Sequence, residues 1–183
     1  MPTYKLLAFS GSLRSASYNS SLVQAFIELA PENVSIEVAD IKDIPLYDQD
    51  MEAEFPEAVS ALKEKIRAAD GILIATPEFN RSIPGVLKNT VDWTSRPYGD
   101  NAWDAKPVFV MGASFSPVGT ALAQNDLKGV MLYLNARVLG QPEFYLGGAT
   151  HKFNEEGKLT DEKAQESVKG AIAAFTAFIE QLR

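Results

Sequence analysis

The sequence predicts a doubly wound α/β sheet, and three observations carry that prediction. Strand-like and helix-like segments alternate from end to end. Several strand candidates are continuous apolar runs, and a short hydroxyl-rich turn joins the first strand to the first helix. Continuous apolar strands mark a parallel sheet covered on both faces. Alternating helices supply the crossovers that such a sheet needs.

The elements follow in order. Tyr4–Ser10 reads as the first strand, and a helix from about Ser20 to Leu29 places Leu22, Phe26 and Leu29 on one face. Val34–Ala39 is the second strand. Pro56 opens a second helix in which Val59, Leu62, Ile66 and Ala69 recur at helical spacing. Gly71–Thr76 is the third strand, followed by a helix from near Pro84, a residue favoured at the first helical position, to near Thr94. Val108–Gly112 and Glu143–Leu146 complete the strands. Between them Ala123, Leu127, Val130 and Leu134 form one helical stripe; after them Val168, Ile172, Phe175, Ile179 and Leu182 form another. Five strands fit a flavodoxin-like order, 2-1-3-4-5, better than the six-stranded dinucleotide fold. With no repeat, low-complexity tract or linker, residues 1–183 read as a single domain. Ligands of such sheets sit beyond the carboxyl ends of the strands, between strands one and three. That points to two loops, Ser10–Ser20 and Thr76–Pro84.

Composition removes several kinds of chemistry. There are 17 Lys and Arg against 24 Asp and Glu, a net charge of −7, so a basic face for nucleic acid is not expected. No apolar run reaches the roughly 18 residues of a membrane span. The amino terminus reads as a strand and not as a signal peptide, which makes the cytoplasm the expected location. The chain has no Cys, excluding thiolate catalysis, disulfide redox chemistry and Cys-ligated metal. Its one His, His151, lies in a polar stretch and reads as a solvated loop residue. A chain so poor in reactive side chains either does no demanding chemistry or delegates it to a cofactor.

Two phosphate-binding motifs are missing: neither G-x-x-x-x-G-K-[ST] nor G-x-G-x-x-G is present. What remains is the hydroxyl loop. Ser10, Ser12, Asn19 and Ser20 can give neutral hydrogen bonds and Arg14 a charge-assisted one, which suits a terminal monophosphate. A turn in which Ser17 or Asn19 caps the first helix explains the same residues equally well. In the second loop, Thr76-Pro77-Glu78-Phe79-Asn80 offers a rigid proline, a flat apolar ring and nearby backbone groups, a setting for a planar heteroaromatic. Taken singly, Phe79 reads as core packing and Glu78 as solvated.

Gly11-Ser12-Leu13-Arg14 with Ser17 and Asn19, then Pro77-Glu78-Phe79-Asn80, Ser82-Ile83-Pro84-Gly85 and Leu87-Lys88-Asn89 through Asp92-Trp93, closely resemble the NADPH-dependent FMN reductases. That family includes bacterial quinone, chromate and azo-dye reductases of flavodoxin-like fold. The resemblance implies FMN as cofactor and NADPH as hydride donor. Ser10, Ser12, Arg14, Ser17, Asn19 and Ser20 would hold the phosphate; Pro77, Glu78, Phe79 and Asn80 would line the isoalloxazine, with Ser114 near the ring or ribityl chain. Relatives usually have Tyr where this chain has Phe79, so a phenolic hydrogen bond is absent. Ser116-Pro117-Val118-Gly119-Thr120 also lacks the second of two glycines common in the family. Leu122 and Asn125 stand where relatives often carry Arg and Tyr, positions linked to subunit contacts. A homodimer is the expected assembly, with a homotetramer as the alternative.

The implied reaction is a ping-pong cycle: NADPH reduces bound FMN and leaves, and a small electron acceptor such as a quinone, free flavin, azo compound or chromate takes its place. No catalytic acid or base from the protein is required. Arg81 is positioned to attract the anionic nicotinamide nucleotide or to be a solvated cation. The competing readings are a flavodoxin-like FMN electron carrier, which the acidic charge would suit, and a regulatory protein that kept the fold without NADPH oxidation.

Overall fold

A computed structural model describes residues 3–183; the first two residues of the predicted domain lie outside the described residues. The predicted sheet is there, in the predicted order. Strands β1 (Tyr4–Ser10), β2 (Val34–Ala39), β3 (Gly71–Ala75), β4 (Pro107–Ala113) and β5 (Arg137–Val138) run in the order β2-β1-β3-β4-β5, and all pair in parallel. The segment expected as the fifth strand is a sixth, β6 (Phe144–Leu146). It pairs with the carboxyl-terminal half of β4, while β5 pairs with the start of the same strand. The edge position is therefore filled by two short pieces. Between them lie Gly140 and Pro142, and proline has no N–H to give to a ladder.

Alternate residues of the central strands feed two cores. Leu6, Ala8, Leu73, Phe109 and Met111 face α1 (Tyr18–Glu28) and α5 (Glu162–Gln181). Leu7, Phe9, Ile72, Ile74, Val108 and Val110 face α2 (Glu57–Ala68), α3 (Gly85–Thr94) and α4 (Ala121–Tyr133). The helical stripes do this burying. Leu22, Phe26, Val59, Ile66, Val168 and Phe175 are fully enclosed. Two stripes shift from their predicted ends. In α4 it is Met131 that is buried, with Val130 and Leu134 only partly covered, and Leu182 caps α5 in an exposed position. Among the described residues, no helix is long and apolar enough to cross a membrane.

This topology sets the carboxyl ends of β1, β3 and β4 side by side. Gly11, leaving β1, donates its N–H to the Ala75 carbonyl at 2.8 Å. A Cβ on Gly11 would lie 3.1 Å from both Pro77 Cδ and Leu87 Cδ2, so the first two loops touch across the switch point. Gly112, near the end of β4, is more tightly enclosed. A Cβ there would meet Thr120 Oγ1 at 1.9 Å and the Thr76 carbonyl at 2.5 Å.

Candidate functional site

The first loop gets its shape from its own side chains. Ser17 is the N-cap of α1, accepting from the N–H groups of Asn19 at 3.2 Å and Ser20 at 3.4 Å. Asn19 is buried, and its amide clasps the backbone of one β4 residue: Nδ2 donates to the Ala113 carbonyl at 3.0 Å, and Oδ1 accepts from the Ala113 N–H at 2.9 Å. The Ser10 and Ser20 hydroxyls are bonded to each other at 2.8 Å. Ser12 Oγ accepts the Arg14 N–H at 3.3 Å, closing a small turn.

These bonds alter the roles expected of the residues. Ser17 and Asn19 have their side chains committed to the protein, so both shape the loop. The helix start is capped from within, because Ser17 takes up two of the donors that α1 would otherwise present. What faces outward is backbone and one cation. Among the described residues, the N–H groups of Leu13, Ser15 and Ala16 make no bond within the chain, and all three residues are exposed. Arg14 is exposed as well and forms no ion pair among the described residues. Three free N–H groups, an unpaired guanidinium and the Ser10, Ser12 and Ser20 hydroxyls make a donor set fit for a phosphate monoester.

The second loop is a hairpin. Phe79 and Ser82 exchange both backbone hydrogen bonds, at 2.9 and 3.0 Å, around Asn80 at φ 51° and Arg81 at φ 70°. Positive φ at both central residues is the mark of a type I′ turn. Asn tolerates that region and Arg does so at a cost of about 1 kcal/mol. Phe79 is 57% exposed, so it is no core residue, and its ring offers the flat apolar surface the sequence suggested. Pro77, partly buried, packs next to Gly11. Glu78 is not solvated. Its carboxylate accepts the N–H groups of Leu122 and Ala123 at the start of α4, and Arg81 lies 3.7 Å from its other oxygen.

A third loop, Ser114–Thr120, completes the rim. Ser114 Oγ accepts the Ser116 N–H at 2.9 Å, and its own N–H is bonded to Leu146 of β6. Phe115 and Val118 are exposed beside it. Gly119 at φ 70° turns the chain against Tyr145, whose phenol donates to Glu143 at 2.7 Å. Burial, with Glu143 beside it, pushes the Tyr145 pKa up to about 12, so it stays neutral. His151 is exposed in a short 3-10 turn away from any metal-like cluster; none of three or more His, Cys, Asp or Glu occurs among the described residues.

Contacts join the three loops at the strand ends: Gly11 to Ala75 and Pro77, Asn19 to Ala113, and Glu78 to the start of α4. One wall is rich in hydrogen-bond donors, and the others carry exposed aromatic surface. The role of Glu78 and the clasp made by Asn19 had no local signal. Each bonds backbone more than 40 residues away.

The family model of the NADPH-dependent FMN reductases matches residues 4–151. An NAD(P)H-dependent FMN reductase of Pseudomonas aeruginosa is 45% identical over 180 residues, covering 98% of this chain and 97% of that one. A 2-hydroxy-1,4-benzoquinone reductase from a Burkholderia species is 40% identical, covering 98% of each. Among solved structures, a flavoenzyme NAD(P)H:(acceptor) oxidoreductase of Paracoccus denitrificans superposes with a TM-score of 0.92 at 37% identity, covering 98% of both chains. With that likeness spanning the whole fold, and both loops in place at the strand ends, this chain belongs to the NADPH-dependent FMN reductase family.

Proposed function

We propose that this protein is an NAD(P)H-dependent oxidoreductase that binds FMN with its phosphate on the first loop and its ring against the second and third, and that a quinone is its acceptor. One observation carries the reading: free backbone donors and unpaired Arg14 stand at the end of β1, next to the exposed aromatic surface at the ends of β3 and β4. Bound FMN would supply the redox chemistry, taking two electrons from NADPH and giving them to the acceptor.

The protein's own contribution is positional. Arg14 and the loop N–H groups bind the phosphate dianion, in spite of the net negative chain, because the donors converge on one point. Gly11 lets the first loop pass close to Pro77, keeping the two half-sites in register. Phe79 and Phe115 present apolar faces that exclude water and accept a planar guest. Exposed Arg81 attracts the anionic nicotinamide nucleotide. No side chain is needed as an acid or base. A quinone is favoured as acceptor because curated relatives at 37–40% identity are named quinone reductases.

The whole chain acts as one FMN domain, located in the cytoplasm and paired as a homodimer. A groove of about 980 Å³ between α3 and α4, lined by Ile83, Lys88, Asp92, Arg96, Asp126 and Tyr133, supports the pairing. Tyr133, in its wall, is 82% exposed. The mass of the Tyr133→Glu variant by sedimentation tests this, and a wild-type monomer would refute it.

The visible spectrum of the purified protein tests the main reading. A yellow sample that bleaches with NADPH and is reoxidised by a benzoquinone is the expected result. A flavin-loaded protein that leaves NADPH unconsumed would return it to the electron carriers. A colourless protein that takes up no FMN would remove the flavin altogether.

A further inference from the structure

Helix α4 is not capped by its own residue. Thr120 stands at the N-cap position but gives no side-chain bond to the first turn. It is fully buried, and its hydroxyl accepts from Gln124 Nε2 at 3.0 Å. The N–H groups of Leu122 and Ala123 are taken up from a different loop, by Glu78 Oε2 at 3.0 and 3.3 Å. A carboxylate at a helix N-terminus gains from both the orphan donors and the helix dipole. The Glu78 side chain is only 14% exposed, so water screens it little. One turn further along α4, Asp126 Oδ2 accepts the Ser82 hydroxyl at 2.7 Å.

The Phe79–Ser82 hairpin is thereby tied to α4 on both sides, and it needs the ties. Two of its residues hold positive φ without being glycine, and its one large apolar side chain is exposed, so burial does not anchor it. Among the described residues its one internal ladder is the single Phe79–Ser82 pair.

We propose that Glu78 is a positioning residue for the flavin-ring site. Its carboxylate caps α4 and so fixes the hairpin that carries Phe79, without touching the flavin. This rests on the reading above, in which the isoalloxazine lies against that hairpin. Glu78 then works by holding two loops, those after β3 and β4, at a set separation around the ring.

The test compares Glu78→Ala, Glu78→Gln and Ser82→Ala with the full-length wild type. Amide hydrogen exchange is measured on the flavin-free chain, and FMN affinity, flavin midpoint potential and NADPH kinetics on the loaded one. In Glu78→Ala, exchange at Leu122 and Ala123 should quicken roughly five- to tenfold, the scale of a lost cap, and Phe79 and Ser82 should quicken with them. The turnover number should fall several-fold while KM for NADPH moves less than about twofold. Glu78→Gln keeps an oxygen acceptor and should lie between wild type and Ala in every readout. Ser82→Ala, which threatens the fold least, should loosen the same hairpin amides by a smaller factor.

Unchanged exchange at Phe79 and Ser82 in Glu78→Ala would overturn the proposal. So would a Gln variant that shifts the flavin potential as far as Ala does while its exchange stays at the wild-type rate, since Glu78 would then be contacting the ring. A wild-type chain that takes up no FMN sinks the flavin reading together with this role, whereas FMN uptake with unaltered exchange sinks the positioning role of Glu78 alone.

Discussion

The two loops that make this site are built in opposite ways. The Ser10–Ser20 loop is held from beneath, by side chains that turn inward to cap α1 and clasp β4, leaving backbone donors and Arg14 outward. The Thr76–Pro84 loop is held from the side, by Glu78 and Ser82 reaching to α4, and leaves a phenyl ring outward. The first is suited to an ion and the second to a flat apolar body. In each case the residues that do most to fix the shape, Ser17 and Asn19 in the first loop and Glu78 and Ser82 in the second, are distinct from Arg14 and Phe79, which are free to touch a ligand. That separation lets stability and binding be probed independently.

The largest effect is expected where the loops after β3 and β4 pack against β4. Gly112→Ala would push a methyl group into the Thr76 carbonyl and the Thr120 hydroxyl, at a cost of about 3 kcal/mol. For a chain of this length that is a Tm lower by roughly 6–12 °C, readable by calorimetry. Next comes Asn19→Ala. It removes the partner of both the N–H and the C=O of buried Ala113, for a loss of about 2–3 kcal/mol in denaturant unfolding. FMN affinity should fall with it, because the loop loses its shape. Arg14→Ala should do the reverse. It should weaken FMN by about 1.5–3 kcal/mol in a fluorescence titration with Tm unchanged, since the side chain is exposed and unpaired. Equal loss of stability in Arg14→Ala and Asn19→Ala would erase the distinction between shaping and binding residues.

A control lies away from both loops. The Asp100 carboxyl accepts from buried Lys63, and that hydrogen bond holds its pKa below the ordinary 3.8. A folded pKa below the unfolded one contributes stability that is complete above about pH 4 and is lost as pH falls through the folded value. Asp100→Asn should therefore cost about 1 kcal/mol at neutral pH, small because Asp100 is half exposed, and flatten the loss of stability below pH 4. FMN affinity at neutral pH should not move. Smallest of all is the stability effect of Phe79→Ala, under about 0.5 kcal/mol for an exposed ring. Turnover or flavin fluorescence should still change, which would locate Phe79 at the ligand and not in the fold.

What the sequence determined by itself is whatever depends on near neighbours. Periodicity placed the first three helices within a residue or two, because residues such as Leu22 and Phe26 lie on one face whatever the rest of the chain does, but it missed the polar first turns of α5, which begins at Glu162 and not near Val168. Continuous apolar runs gave the parallel strands and, with the crossovers, their order. Ser17 as a cap was legible too, its partners being two and three residues on. Only the tertiary structure decided which polar residues face a ligand. Asn19 reads as a phosphate donor until Ala113, 94 positions away, is seen to take its amide, and Glu78 as solvated until α4 arrives 44 positions later. The split edge of the sheet likewise depends on where β4 offers free backbone to the short β5 and β6. Hydrogen bonds of long sequence separation leave no periodic trace, because they form only after the sheet has brought its strand ends together.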